Sequence, residues 1–190
     1  FTTIAHEIRT PVSLIIGPLE KILDRSDELS EKMNDDLDVI NRNSQRLLSL
    51  VNQLLDFRKI EQGTLPMSYS EQNIHELLMS VYIRFKSYIE NKNICLSYTN
   101  QHTELMACVD VENLTKAISN LLNNASKFAR STIELIVLVD DAAKTFRIMV
   151  SDDGCGISSE QQEHIFKPFY QVPGTKVSGT GLGLYLVKSI

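Results

Sequence analysis

The chain has 190 residues, 43% hydrophobic and 23% charged, with 8 Gly and 5 Pro, a globular composition that excludes disordered and collagen-like classes. Its 19 Lys/Arg against 24 Asp/Glu give a net charge of −5, with 8 against 11 in residues 1–62 and no basic cluster, so no direct contact with nucleic acid is expected. No apolar run nears the roughly 18 residues of a membrane span, and no signal peptide is expected.

In chain order, apolar residues at 1, 4, 8, 12, 15, 19 and 22 follow the spacing of one helical stripe. Phe1 stands inside that pattern without an initiator methionine, so the chain is expected to be part of a longer protein. A polar connector, Ser26 to Ser30, leads to a second stripe through Met33, Leu37, Ile40, Leu47, Leu48, Val51, Leu54, Leu55 and Ile60. Gly63 is its C-terminal stop, reinforced by Pro66. Two such helices form an antiparallel hairpin that cannot enclose its own stripe, so a homodimer closing a four-helix bundle is expected. Residues 1–62 therefore make one domain and 63–190 another. In the second, the pattern predicts a helix over 73–91 and strands over 94–99 and 105–109. A helix over 111–128 capped by Asp110 follows, then strands over 132–139 and 145–151. Cys95, Cys108 and Cys155 lack metal-ligand spacing and are read as small buried thiols in a reducing compartment.

Three groups of residues carry chemistry. On the first helix, at about 100° per residue, His6 and Thr10 fall opposite the apolar stripe, so His6 is not a core residue. Glu7 beside it can orient or accept its second proton, and Pro11 withholds a hydrogen bond from the Glu7 carbonyl. These neighbours favour a reactive histidine. On helix 111–128, Asn120, Asn124 and Lys127 lie off the apolar face. They are either an ordinary solvated face or a set of amide oxygens for Mg²⁺ with a lysine for phosphate.

The third group is glycine-rich, with six of the eight glycines between 154 and 183. Asp152 at a strand end, followed by Gly154 and Gly156, suits a flat base whose exocyclic amine donates to the carboxylate. The string Ser178 to Leu184 opens a helix and is either a turn or a backbone anion cradle. It is neither a Walker A loop nor a dinucleotide fingerprint. Between them lie the aromatics Phe166, Phe169 and Tyr170 and a loop, 171–178, that reads as a lid whose only basic residue is Lys176.

The strings AHEIRTP, NLLNNASKF, DDGCGI and GTGLGL, with FKPFY between the last two, resemble in this order the two-component sensor histidine kinases, over essentially the whole chain. LLDFRKIEQG and FYQVPGTK are similar to the kinase core of hybrid sensors. The resemblance implies an α+β architecture: an antiparallel helical hairpin, four-helix as a dimer, then an α/β sandwich of the histidine-kinase/Hsp90-like ATPase type. It implies ATP and Mg²⁺, with His6 as phosphoacceptor, Glu7 as its general base and Thr10 aiming water in the reverse reaction. Asn120 and Asn124 would hold Mg²⁺ with Lys127 near the phosphates. Asp152 would bind the adenine amine beside Gly154 and Gly156. Gly179, Thr180, Gly181, Leu182 and Gly183 would cradle the phosphates, and Phe166, Phe169, Tyr170 and Lys176 would serve the lid. The implied partner beyond the homodimer is a response-regulator receiver domain, in the same chain for hybrid members. The implied location is the cytoplasmic portion of an inner-membrane sensor. The lid is short, and the chain stops at Ile190 where family domains continue, so a C-terminally truncated catalytic domain is expected. The alternative is a nucleotide-binding regulator of weak catalytic power.

Overall fold

The computed structural model describes residues 11–20, 22, 31–174 and 179–190, which fall into two compact units divided mainly at Leu65/Pro66. The first unit comprises the chain up to Leu65 together with Pro168–Leu182. In it, α1 is helical over 11–20 and α2 runs Glu31–Glu61. Gly63 ends α2 in the left-handed region (φ 63°), where its N–H reaches the Ile60 carbonyl at 2.9 Å and Thr64 N–H reaches that of Lys59 at 2.9 Å. Arg58 and Lys59 place positive charge at the negative end of the helix dipole.

The apolar arc of α2 is wide. Leu50 is buried, whereas Leu37, Leu48, Val51 and Leu55 share a neighbouring flank and are 40–55% exposed. In the same unit the segment 168–182 meets α2. The Phe169 ring stands edge-on to Phe57 at 5.1 Å, and the Thr180 hydroxyl donates to Gln53 Oε1 at 2.7 Å.

The second unit comprises Pro66–Lys167 and Gly183–Ile190. Its elements are β1 (Tyr69–Asn73), α3 (Ile74–Glu90), β2 (Cys95–Asn100), β3 (Met106–Asp110), α4 (Val111–Phe128), β4 (Thr132–Asp140), β5 (Thr145–Asp152), α5 (Ser159–Gln162) and α6 (Gly183–Ser189). The main sheet has the order β2-β4-β5, β2 parallel and β5 antiparallel to β4, while β1 and β3 form an antiparallel pair. Ile133, Leu135 and Val137 alternate inward from β4 against Ile74, Leu78, Val81 and Ile89 of α3 and Ile118, Leu122 and Ala125 of α4. Both helices thus cover one face of the sheet, as the resemblance implied.

Local signals explain most boundaries. Asn73 caps α3, its Oδ1 accepting the His75 N–H at 2.9 Å. Asp110 caps α4 through the Asn113 N–H at 2.8 Å and also accepts the Ser68 N–H at 2.6 Å. These backbone donors, Asn113 first, hold its carboxyl below the ordinary range.

One reading is corrected and two features were not anticipated. The thiols of Cys95, Cys108 and Cys155 are free but exposed, because the first two point outward in strand alternation and the third lies in a loop. Asn113 of α4 is buried, with its amide on the Pro66 carbonyl and Met67 Sδ. Strand β1 was not anticipated. Its sequence YSEQN has no apolar alternation, and it is extended because it pairs with β3.

Candidate functional site

In the second unit, α4 and the end of β5 bring two of the predicted groups together. Asn120 and Asn124 lie one turn apart on α4 and are half-buried, whereas Lys127 is exposed in the last turn. Gly183, the first residue of α6, sits against Asn120: a Cβ there would lie 3.4 Å from its Oδ1. Lys92 closes the far end of α4, its Nζ 3.3 Å from the Ser126 carbonyl.

Asp152 is the last residue of β5, paired with Ile133 of β4, and its carboxylate is exposed. Its Oδ1 accepts the Gly154 N–H at 2.9 Å. Among the described residues no hydrogen bond reaches its Oδ2. Gly154 must be glycine by space: a Cβ would lie 2.6 Å from Asp152 Oδ1 and 2.6 Å from the Phe128 carbonyl oxygen. Gly156 is different, since it has φ 70° and open space around it.

Two residues here escaped the sequence reading. Phe128, the last residue of α4, sets its carbonyl against the Gly154 loop and has a partly exposed side chain; in the sequence it continues the spacing of Leu121 and Ala125, so nothing but its place at the helix end marked it. Asp153 accepts the N–H groups of Arg130 (2.8 Å), Ser131 (3.0 Å) and Thr132 (3.1 Å) at Oδ1. Its Oδ2 accepts the Ser131 hydroxyl at 2.6 Å and the Ser131 N–H at 3.0 Å. That set, led by the Ser131 hydroxyl, holds the carboxyl far below its ordinary range. Only its place in an Asp-Asp doublet marked it in the sequence.

In the first unit, Phe169 adopts φ 63° and donates its N–H to the Gly181 carbonyl at 3.0 Å. Gly181 lies at φ 71°, and a Cβ there would meet Phe169 C at 2.5 Å and Tyr170 O at 2.7 Å, so two independent constraints demand glycine. Thr180 is buried and its hydroxyl also accepts the Leu182 N–H at 3.2 Å. Leu182 is fully buried, and its N–H is taken by the Thr180 hydroxyl, so the structure gives it a packing role in this turn. The side-chain amide of Gln171 donates to the Gly179 carbonyl, spanning the loop. Phe166, in the second unit, is exposed with Lys188 Nζ 5.7 Å from its ring centre. His6, Glu7, Thr10 and Lys176 lie outside the described residues.

Comparison with known proteins finds two family models in this chain. The His Kinase A (phospho-acceptor) domain matches residues 1–63, and the histidine kinase-, DNA gyrase B- and HSP90-like ATPase matches residues 109–190. Hybrid signal transduction histidine kinase D of Dictyostelium discoideum is 35% identical over 99% of this chain, which spans 13% of that protein. Sensor histidine kinase TmoS of Ectopseudomonas mendocina is 35% identical over 99% of this chain, which spans 20% of that protein. Among solved structures, full-length ShkA in complex with AMPPNP is 25% identical with a TM-score of 0.71, covering 99% of this chain and 39% of its own. The catalytic domain of histidine kinase ThkA is 30% identical with a TM-score of 0.58, covering 65% of this chain and 80% of its own.

Proposed function

Because the chain belongs to the two-component histidine kinases, we propose that it is a sensor kinase core that binds ATP, moves the γ-phosphoryl group to His6 and passes it to a receiver-domain aspartate. Residues 1–62 are the dimerisation and phosphotransfer domain in this reading, and 63–190 the catalytic domain. The observation that carries the nucleotide half is the meeting at α4. Asn120 and Asn124 share one side of that helix, and its last residue abuts the loop after Asp152.

Each group has a physical task. Asp152 accepts the exocyclic amine of adenine, and the exposed Phe128 ring offers the base an apolar flat surface. The amide oxygens of Asn120 and Asn124 are hard neutral donors, which fits Mg²⁺, an ion that takes one or two protein ligands beside phosphate and water. Mg²⁺ held there would neutralise charge on the phosphates. Lys127 adds a cation, and the backbone N–H groups of residues 179–183 are free of side-chain bulk at Gly179, Gly181 and Gly183. Gly156 gives the base loop its left-handed residue, while Phe169, Tyr170 and Lys176 serve the lid.

In the transfer, a ring nitrogen of His6 bonds the γ-phosphorus as the bond to the β-phosphate oxygen breaks and ADP leaves. Glu7 takes the proton from the other ring nitrogen. Thr10 orients water in the reverse reaction on the partner. Positioning and charge neutralisation supply most of the rate in phosphoryl transfer, which suits a site built of amides and backbone donors.

The exposed flank of α2 at Leu37, Leu48, Val51 and Leu55 supports a homodimer, since one chain leaves that flank uncovered. A receiver in the same chain is supported by the hybrid kinase among its relatives. The reading places this region on the cytoplasmic side of a membrane sensor; among the described residues no helix is long and apolar enough to cross a membrane. Incubation of the full chain with γ-labelled ATP should give acid-labile label that is absent in His6→Ala and Asn124→Ala and on adding EDTA. Label persisting in His6→Ala, or no label with ATP bound, would sink the kinase reading and favour a nucleotide-binding regulator.

A further inference from the structure

Asp153 makes more hydrogen bonds than any other described carboxylate, and the nucleotide reading gives it no task. Its donors are three successive residues, Arg130, Ser131 and Thr132, which form the connection between the end of α4 and the start of β4. In return, Asp153 N–H reaches the Thr132 carbonyl at 3.3 Å. The carboxylate thus occupies a backbone nest made by one side of the site and belongs to the loop that makes the other. Asp152 immediately precedes it, and Gly154 immediately follows, with its Cα packed on the Phe128 carbonyl and its N–H on Asp152 Oδ1.

We propose that Asp153 is the positioning residue of base recognition: by clamping residues 130–132 it fixes the Asp152 carboxylate relative to α4, so that Oδ2 faces the amine of adenine.

The inference rests on Asp152 reading that amine. It follows from the connectivity, because Asp152 ends the edge strand β5 and, among the described residues, Ile133 of β4 is its one ladder partner. An exposed strand end frays unless something ties it down, and the clamp ties it to the connection that leaves the helix carrying Asn120 and Asn124. The role demands acceptor geometry rather than charge. Oδ1 takes three backbone N–H groups, and an asparagine carbonyl oxygen can do the same while its NH₂ donates to the Ser131 hydroxyl; what it gives up is the second contact of the Ser131 N–H, which Oδ1 still accepts. Alanine can do neither.

The test compares binding of ATP and of purine riboside 5′-triphosphate, which lacks the amine, to the full chain with Mg²⁺ by calorimetry. A hydrogen bond to a charged acceptor gives the wild type a preference of roughly tenfold or more for ATP. Asp153→Ala should cut that ratio to within about threefold of unity, chiefly by weakening ATP, while Asp153→Asn keeps it. A purely structural role would weaken both nucleotides alike and leave the ratio where it was. Should Asp153→Ala fail to fold, Ser131→Ala, which removes only the 2.6 Å hydroxyl bond, should lower the ratio at least twofold; an unchanged ratio overturns the inference. Asp152→Ala separates the two claims. If it abolishes the preference and Asp153→Ala leaves it intact, only the positioning role falls; if the wild type shows no preference, the base reading falls with it.

Discussion

Gly154→Ala tests whether the close approach of the base loop to α4 matters. The added methyl would stand 2.6 Å from Asp152 Oδ1 and 2.6 Å from the Phe128 carbonyl oxygen. Ordinary contacts lie near 3.5 Å, so roughly 0.9 Å of relief is required on each side. The Asp152 side chain could turn away, at the cost of the 2.9 Å bond from Gly154 N–H. The Phe128 carbonyl is backbone at a helix end, next to Ala129, whose N–H still bonds the Ala125 carbonyl at 2.8 Å. It cannot yield without unwinding the last turn, so the loop moves instead, by about 1 Å. Overpacking of this kind costs about 1–3 kcal/mol. A displacement of about 1 Å in a positioned group can cost up to roughly 100-fold in function. Calorimetric titration of the full chain with ATP and Mg²⁺ should show affinity reduced 10- to 100-fold, on the order expected for such a shift. Gly156→Ala is the comparison, because no atom lies within 4 Å of its Cβ position and only left-handed strain of about 1–2 kcal/mol is added. Wild-type ATP affinity in Gly154→Ala, or an equal loss in Gly156→Ala, would refute the steric argument.

Four further outcomes are expected. Leu122→Ala empties a fully buried site between α4 and the sheet and should lower stability by about 2–5 kcal/mol in urea unfolding; a loss below about 1 kcal/mol would contradict its place in the core. Asn73→Ala removes the α3 cap and should cost about 1 kcal/mol in the same assay, with Asn73→Ser recovering most of it. Gly17→Ala, on a helix with open space around the Cβ position, should raise stability by about 1 kcal/mol, and destabilisation would show an unseen contact there. Asp110 and Asp153 both titrate below their unfolded value of about 3.9, so their contribution is complete above that pH and disappears as pH falls toward the folded value. Unfolding free energy measured from pH 7 downward should therefore begin to fall near pH 4. Asp153→Asn should make that fall shallower, and an unchanged acid slope would contradict the lowered carboxyl.

Much of this molecule was readable without coordinates, for identifiable reasons. Helices α2, α3 and α4 declare themselves because one apolar stripe must face one neighbour, and Asp110 and Gly63 mark an end of α4 and of α2 through a local hydrogen bond and a left-handed turn. Strands β4 and β5 do the same through dense β-branched runs. Asp152, Gly154, Asn120 and Asn124 could be singled out because their residue types fit poorly with plain scaffolding at those positions. The remainder depended on contacts between residues far apart in the chain. Strand β1 is extended only because β3 lies beside it, and Asn113 is buried only because residues 66 and 67 return to the start of α4. The sequence marked Asp152 by its place at a strand end but not what either carboxylate meets: Asp153 meets three backbone N–H groups at one oxygen, and Asp152 meets that of Gly154. Periodicity and capping are local and survive in one dimension; which atoms a given carboxylate, thiol or glycine meets is set by the packing of distant segments, and only the folded chain decides it.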